Sequence, residues 1–347
     1  MNAIRYRDSN MELLRITAML LVVLFHIDFI NFNFPENQLD IFNQPLSAYL
    51  KIWGVCATYT CVDIFILLSG WYGIHPKKSR FLEFIFQVLF YSSISYALFL
   101  IFDEDVKFSW NFLIHILITD DYWFIPIYII LYCFAPVLNY FAENASKQQF
   151  AITIIACLIL QSLYGWISPK EMGFLEGRSP FSFFILYLLA RYIHLHAEHL
   201  RNLNKKRCSV FFVLTVSITA AIAFVGYFKG IPYIIDTIFK FSSLLTIAAS
   251  VLVVVFFYQW KIRYSKLINW IGRSCFAVFL IHCFPYFSDN IFHSTIMNLY
   301  NQFTGITFAV LVVLFVISIY ILSILMDQLR ILIWNSIYRP DLKKQVG

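Results

Sequence analysis

Residues 12–28 read ELLRITAMLLVVLFHID and form the centre of an apolar run from 11 to 31. A helix needs about 20 mostly apolar residues to cross the hydrocarbon core of a bilayer, and this run supplies them. Arg15 and His26 stand eleven residues apart within it. Eleven residues at about 100° each are close to three full turns, so we expect both side chains on one face of the helix, roughly 16 Å apart along its axis.

The composition of the whole chain is that of a membrane protein. Of its 347 residues, 60% are hydrophobic and 13% are charged, and the mean hydropathy is +0.72. Soluble domains have about 45–50% apolar and about 25% charged residues. A soluble protein of this length would still need a charged surface, so the excess apolar area must face lipid.

The apolar runs predict an all-α, polytopic transmembrane helical bundle of about ten spanning helices. Nineteen of the 26 lysines and arginines fall in loops on one side, six on the other, and Arg15 lies inside the first span. This bias places both termini in the cytoplasm. The run 229–240 could lie at the interface, so nine or eleven spans remain open. The predicted spans are 11–31, 48–71, 81–102, 122–142, 150–167, 181–195, 208–228, 241–259, 267–287 and 306–327.

The sequence predicts a single membrane domain over residues 1–347, with membrane lipid as a partner and no prediction of oligomeric state. The net charge of +6 is spread over short clusters rather than one patch, which argues against nucleic-acid binding. Seven cysteines, mostly inside apolar runs, indicate neither a disulfide framework nor a zinc site. His194, His196 and His199 have crude metal-ligand spacing, but a solvated loop explains them better, so no metal site is predicted.

Ionisable groups at membrane depth are costly, and each is therefore a functional hypothesis. A guanidinium near the inner face, such as Arg15, suits a phosphate or a carboxylate. A histidine deeper in the span, such as His26, suits proton transfer or nucleophilic chemistry near neutral pH. The alternative is that Arg15 extends to the interface and His26 bonds a backbone carbonyl. Two such residues on one face favour a functional role; Glu12 belongs to the same group of buried charges.

The second span contains CVDIFILLSGWYG at 61–73, with Asp63 at mid-span and Ser69 at its cytoplasmic end. Asp63 is either a functional carboxylate or a structural counter-ion, and Ser69-Gly70 is either part of a site or a packing notch of small residues. The basic residues Lys77 and Arg80 follow; they either signal topology or bind the phosphates of an anionic cofactor.

His282 lies in the ninth span, in the outer half by the same topology. It is either a second acid or base or a hydrogen-bonded core histidine.

Four segments, in order, resemble the membrane-bound acyltransferase-3 family. Arg15 through His26 is similar to the family's opening arginine, ten residues and histidine, and Val62–Gly70 to its V-D-x-F-F-x-x-S-G signature. The stretch YWFIPIYIILYCFAPVLN at 122–139 resembles its tryptophan-bearing helix that closes on a proline, and Ser274–His282 its C-terminal serine-to-L-I-H pattern.

The chain departs from the family pattern in three respects. The cytoplasmic R-x-x-R pair is K-x-x-R here, with Lys77 giving a point charge instead of a fork. The tyrosine before L-I-H is Phe279, which puts a hydroxyl contact there in doubt. The esterase-like domain fused to some members is missing from the sequence.

The resemblance implies an integral O-acyltransferase of the bacterial cytoplasmic membrane. Its members take acyl-CoA, usually acetyl-CoA, from the cytoplasm and acylate a hydroxyl of a lipid-linked or surface saccharide such as exopolysaccharide or capsule. His26 acts as general base or as transient acyl acceptor, and both roles stay open. The implied residues are catalytic His26, Arg15 and Asp63; donor-binding Arg15, Ser69, Lys77 and Arg80; and saccharide-binding Trp123 and His282.

The alternative interpretation is a transporter or flippase of a lipid-linked sugar or small metabolite that uses the same buried ions. Such proteins have inverted structural halves and helices broken by Gly or Pro at matching positions. The sequence displays neither.

Overall fold

The computed structural model describes residues 8–31, 38–102, 108–110, 122–167, 173–284 and 287–338, with no side chains given for 28–31, 40, 166 and 167. Regular secondary structure within these ranges is entirely helical, including a π-helix at Ser288–His293. The α-helices are α1 Ser9–Asn31, α2 Gln38–Asn43, α3 Pro45–Thr58, α4 Cys61–Tyr72, α5 Lys78–Phe102, α6 Phe124–Asn144, α7 Lys147–Ile167, α8 Pro180–His196, α9 Glu198–Arg201, α10 Lys205–Lys229, α11 Pro232–Ile238, α12 Leu244–Gln259, α13 Lys266–His282, α14 Ser294–Gln302 and α15 Gly305–Tyr338.

Each of the ten predicted spans overlaps helix in the described parts of the chain, which confirms the all-α membrane class. Seven segments of the described chain are long and apolar enough to cross a bilayer, with α3 and α4 counted together. The predicted sixth, eighth and ninth spans fall on the shorter helices α8, α12 and α13. The total of ten stays a prediction, as do the cytoplasmic termini, which lie outside the described residues.

Large aliphatic side chains are exposed along the longest helix. On α15, Ile306, Val313 and Leu322 are more than half exposed. In water such a surface would be a large unfavourable apolar patch, whereas in a bilayer it contacts acyl chains. The exposed face of α15 is therefore apolar, as the composition predicted for a surface that contacts lipid.

The chain forms two compact units. Unit 1 comprises Met1–His75 and Ile127–Asn269, and unit 2 comprises Pro76–Pro126 and Trp270–Gly347. In unit 1, α1 packs on α3, α4 and α12, and α4 packs on α8. In unit 2, α15 packs on α5 and α14. The prediction of a single domain over 1–347 stays a prediction.

The closest helix contact in unit 1 occurs at Gly70. A Cβ atom there would lie 2.4 Å from the carbonyl oxygen of Tyr187 and 3.0 Å from the Cβ of Ala190. Only glycine lets α4 and α8 approach this closely, as small residues do between membrane helices. The packing-notch interpretation of Gly70 therefore agrees with the structure, and this contact sets the position of the neighbouring Ser69.

The end of α4 is fixed by a hydrogen-bonded loop. Gly73 ends the helix with φ +77°, a conformation that side-chain-bearing residues rarely adopt. The Ile74 amide then donates to the Tyr187 hydroxyl at 2.8 Å, and that hydroxyl donates to Asn139 Oδ1 at 2.6 Å. Asn139 Nδ2 in turn donates to the Ile74 carbonyl at 2.8 Å. These three hydrogen bonds fix the position of Ile74, which precedes Lys77 by three residues.

Candidate functional site

Arg15 is paired with a buried carboxylate. Its Nη1 lies 2.5 Å from Glu12 Oε2 one turn earlier in α1, and the Glu12 side chain is 7% exposed. The Arg15 side chain is 32% exposed, so part of its guanidinium is open to a ligand. A guanidinium has five donor hydrogens, and one short bond to Glu12 leaves others for an anion. The contact with Glu12 therefore holds Arg15 in place and leaves guanidinium hydrogens that can bind an anion.

Ser69 lies at the same end of unit 1 as Arg15. Its hydroxyl donates to the Phe65 carbonyl at 2.9 Å and lies 3.4 Å from the Tyr128 hydroxyl. Arg15 is close enough to Tyr128 to act on that phenol electrostatically. Two of the predicted donor-binding residues, Arg15 and Ser69, are thus brought together next to Tyr128.

A second phenol at this end was missed by the sequence reasoning. Tyr72 donates from its hydroxyl to Asp8 Oδ2 at 2.9 Å and also lies within electrostatic range of Arg15. Tyr72 follows Ser69 by three residues, and Tyr128 lies within the motif at 122–139. Helical spacing from Ser69 could have suggested Tyr72. The position of Tyr128 depends instead on the packing of α6 near α4.

His26 lies toward the other end of α1, which runs unbroken from Ser9 to Asn31 as the spacing argument requires. Its ring is 5.6 Å from that of Phe25, which packs edge-on against Tyr59 at 4.9 Å. Tyr59 also contacts Phe239 and Phe241, at 5.8 and 5.0 Å between ring centroids. We call Phe25, Tyr59, Phe239 and Phe241 the aromatic cluster. His26 itself is half-buried beside this cluster.

The second predicted span is interrupted in its helical hydrogen bonding at Tyr59 and Thr60, although both residues keep right-handed helical backbone angles. Helix α3 ends at Thr58 and α4 begins at Cys61, so Asp63 lies in the first turn of a new helix. The Thr60 hydroxyl donates to the Ala57 carbonyl at 2.7 Å. Ser250 donates toward the Thr60 carbonyl at 3.4 Å, across from α12. The interruption carries neither Gly nor Pro, so no residue of the run signals it.

Asp63 is fully buried at this break. Its Oδ2 lies 3.5 Å from the Ser250 hydroxyl, and its Oδ1 has no hydrogen-bond partner among the residues that the structure describes. The amides of the first helical turn give this position a partial positive charge, which favours an acidic side chain. A buried carboxyl with one long hydrogen bond is costly to retain. Because burying this carboxyl is costly, Asp63 is a candidate functional residue.

Lys77 and Arg80 lie at the start of α5 in unit 2. The Phe81 amide donates to the Lys77 carbonyl at 3.0 Å, so the helical hydrogen bonds begin at Lys77. Both side chains are exposed. Their spacing of three residues places them on one side of the helix, where they can contact an anion together.

Trp123 precedes α6 in unit 2, within a segment that packs on α13. The neighbouring Tyr122 donates from its hydroxyl to the Leu280 carbonyl at 3.0 Å. Phe124, on the other side of Trp123, contacts Phe279 at 5.8 Å between ring centroids. The predicted tryptophan is therefore held beside the helix that ends in His282.

His282 is fully buried and bonded to its own helix. Its Nδ1 lies 2.6 Å from the Val278 carbonyl, so the hydrogen belongs on Nδ1 and Nε2 is left as an acceptor. The Cys283 thiol lies 3.4 Å from that Nε2. Phe279, which replaces the family's tyrosine, lies 6.3 Å from the His282 ring and brings no hydroxyl to it. These contacts are those of a hydrogen-bonded core histidine held in one tautomer.

The structure does not place His194, His196 and His199 together in a solvated loop, as the sequence predicted. His194 and His196 lie in the last turn of α8, and only His199 is in the short α9. His194 packs on Trp71 at 5.1 Å, and His196 packs on Phe150 at 5.9 Å. The loop prediction was wrong for these two because α8 includes both residues, and their rings pack on aromatic side chains instead of being solvated.

Unit 2 contains a buried ionic network that sequence reasoning missed. Asp327 and Arg330 are both buried on α15, with Arg330 Nε donating to Asp327 Oδ1 at 2.7 Å. Gln87 and Tyr91 on α5 donate to the same Oδ1 at 3.1 and 3.2 Å. The tenth span was predicted to end at 327, with Arg330 in a loop. Helix α15 instead continues to Tyr338, and the spacing of three residues between the two charges was the available signal.

The comparisons with known proteins identify the family. The family described as an acyltransferase domain, acyltransferase-3, matches residues 8–327, which is almost the whole chain. No curated protein and no solved structure matches the chain at a significant level. The chain belongs to the acyltransferase-3 family and is a membrane acyltransferase.

Proposed function

We propose that this acyltransferase-3 family member transfers an acyl group, foremost acetyl, from cytoplasmic acyl-CoA to a hydroxyl of a lipid-linked or cell-surface saccharide, in the bacterial cytoplasmic membrane. The observation that carries the proposal is α1. One unbroken helix presents a partly open guanidinium, Arg15, and a half-buried imidazole, His26. Their separation of roughly 16 Å along the helix axis is comparable to an extended pantetheine arm.

In this proposal the donor's phosphates bind at the cytoplasmic end. Arg15 is held by Glu12, and the Ser69 hydroxyl is close to the Tyr128 hydroxyl, so this end offers one cation and adjacent hydroxyls. In unit 2, Lys77 and Arg80 present two exposed cations at the start of α5. Phosphate oxygens accept charge-assisted hydrogen bonds from such groups, and these are stronger than neutral ones.

The acyl transfer takes place at His26. The His26 imidazole removes the proton from the acceptor hydroxyl, and the hydroxyl oxygen attacks the thioester carbonyl carbon. A C–O bond forms and the C–S bond breaks, so the electron pair leaves with sulfur. The imidazolium then returns its proton to the departing thiolate, which gives free CoA thiol and the ester. The apolar rings of the aromatic cluster limit water beside His26, which lowers competing hydrolysis.

Asp63 serves as a positioning residue in this scheme. Its fully buried carboxyl at the helix break balances positive charge that develops during the transfer. Trp123 contacts the saccharide in unit 2 by stacking against the sugar's C–H face. His282 supports this contact from behind, because it is buried and bonded to Val278 in α13, the helix on which the Trp123 segment packs.

The test uses purified full-length protein in lipid nanodiscs, supplied with acetyl-CoA and an extract of surface glycans. Release of CoA thiol is followed with a chromogenic disulfide, and transfer is followed by mass spectrometry of the glycans. His26→Ala should abolish both signals while the thermal unfolding profile is retained. The exposed His199 in α9 provides the matched control, since His199→Ala should leave both rates unchanged. Full activity in His26→Ala would overturn the assigned mechanism.

The same preparation separates the general-base role from a transient acyl-histidine. Mixing with acetyl-CoA in the absence of acceptor, followed by rapid denaturation and peptide mass spectrometry, should give no acetyl group on His26 if it is a base. An acetylated His26 peptide formed before acceptor is added would instead establish the covalent route.

One observation bears on the transport alternative: helical hydrogen bonding in the second span is interrupted at Tyr59 and Thr60, close to the fully buried carboxyl of Asp63. Transporters build substrate sites where helices are discontinuous. A transporter needs no thioester, so movement of a labelled lipid-linked sugar across a liposome bilayer without acyl-CoA would favour it. Acylation of the sugar that depends on acyl-CoA would exclude it as the main activity.

A further inference from the structure

Glu83 lies between two arginines in unit 2. Its Oε1 is 3.5 Å from Arg330 Nη1 and 3.8 Å from Arg273 Nη2. Strong pairs between arginine and carboxylate have distances of about 2.7–2.9 Å, so both contacts are loose. One carboxylate is thus shared by two cations and is tightly bonded to neither.

Arg330 is held rigidly by a different residue. Its Nε and Nη2 donate to the two oxygens of Asp327 at 2.7 and 3.3 Å. The Nη1 atom, which points to Glu83, is buried and has no hydrogen-bond partner within the described parts of the chain. The Arg330 side chain is only 3% exposed, and a buried donor without a partner costs about 1–3 kcal/mol. The fixed guanidinium therefore has one unsatisfied edge.

The two other members of the group make that edge accessible. The Arg273 side chain is 49% exposed and the Glu83 side chain is 32% exposed. Glu83 can therefore rotate into solvent at little cost, since its contacts to the arginines are long. Gln87 and Tyr91 follow Glu83 along the same face of α5 and close the group on its inner side through their bonds to Asp327.

We propose that Arg273 and Arg330 form a phosphate-binding site in which Glu83 is a displaceable counter-ion. A phosphate monoester carries more charge than a carboxylate and has three terminal oxygens, and a phosphodiester headgroup has one charge and two terminal oxygens, so either can accept from both guanidinium groups at once. By the positive-inside rule the ends of α5, α13 and α15 that carry these residues face the cytoplasm. The ligand therefore comes from the cytoplasmic side.

Two sources supply a phosphate ester there: a soluble nucleotide phosphate, such as that of the donor, and the headgroup of an anionic lipid. The first source rests on the proposed function, because it assumes an acyl-CoA donor. The second does not depend on that assumption. The shared chemistry, an arginine pair released from Glu83, is the same for both.

The experiment measures binding by full-length protein in phosphatidylcholine nanodiscs. One arm titrates adenosine 3′,5′-bisphosphate, and the other adds phosphatidylglycerol to the discs and counts retained lipid by native mass spectrometry. Arg273→Gln should weaken binding by about tenfold, the loss expected for one charge-assisted hydrogen bond. Glu83→Gln should tighten binding by about threefold or more, because it removes the competing negative charge while keeping the side chain's size.

Two matched variants control for net charge. Arg263→Gln removes an exposed cation from the loop before α13, and Glu143→Gln removes a 57% exposed acid that is 4.0 Å from Arg191. Neither should change the affinity of either probe. The site would be overturned by equal effects of Arg273→Gln and Arg263→Gln, or by weaker binding in Glu83→Gln. Tighter binding in Glu83→Gln supports the site, because a purely structural role for Glu83 would not produce it.

The two probes also separate this proposal from the acyl-transfer proposal. If lipid is retained with the expected variant pattern and the nucleotide does not bind, the phosphate site stands and its ligand is the headgroup. If neither probe binds in the wild type while acetyl-CoA is still consumed, the phosphate site is wrong and the acyltransferase proposal is unaffected.

Discussion

Gly70→Ala tests whether the contact between α4 and α8 positions the cytoplasmic end of unit 1. The added methyl group would lie 2.4 Å from the Tyr187 carbonyl oxygen and 2.9 Å from the Tyr187 Cα. Ordinary van der Waals contact begins at 3.4 Å, so the two backbones must separate by about 1 Å. Both neighbouring atoms belong to the backbone of α8 and cannot rotate away.

The expected magnitude follows from two opposing effects. Overpacking of a well-packed interior costs about 1–3 kcal/mol, and a contact with rigid backbone lies at the upper end. Replacing glycine by alanine inside a helix returns up to about 1 kcal/mol through helix propensity. We therefore expect a net loss of about 2 kcal/mol in the free energy of unfolding. Since the shift also moves Ser69 away from Tyr128, the KM for acetyl-CoA should rise.

The assay is equilibrium unfolding in mixed detergent micelles followed by tryptophan fluorescence, with acetyl-CoA turnover measured on the same preparation. Gly165→Ala in α7 is the matched control, because the nearest atom to its added methyl group is Ser242 Oγ at 4.0 Å. That variant should be neutral or slightly more stable. The reasoning is refuted if the two variants have the same stability, since the close approach at Gly70 would then cost nothing.

Two further substitutions probe the candidate site. Arg15→Lys keeps the charge beside Glu12 but loses the planar fork, so we expect the KM for acetyl-CoA to rise by about tenfold with kcat little changed; an unchanged KM would remove Arg15 from the donor site. Asp63→Asn keeps the shape of a side chain whose only described hydrogen bond is the 3.5 Å contact with Ser250, so the free energy of unfolding should change by less than about 1 kcal/mol. In the same variant kcat should fall by more than about tenfold if Asp63 balances charge in the transition state; retained kcat would leave it a structural residue.

The sequence alone determined the all-α membrane class of the protein and the approximate positions of its apolar helices. Apolar runs of about 20 residues have few stable arrangements other than helices in lipid, because every backbone amide and carbonyl must find a partner within the segment. The same local argument placed Arg15 and His26 on one helix, which the unbroken α1 bears out. The family also followed from local patterns, since its signatures are short and ordered along the chain.

Contacts between distant segments were decided only by the tertiary structure. No Gly or Pro marks the interruption of helical hydrogen bonding at Tyr59 and Thr60, where the Thr60 carbonyl instead accepts a bond from Ser250 on α12. The burial of Arg330 could not be read from its position after the last apolar run, since its partners Asp327 and Glu83 lie on two different helices. Sequence periodicity gives the face on which a side chain lies. Which helix that face meets depends on packing over the whole fold, and so the contact of Arg330 with Glu83 on α5 was settled there.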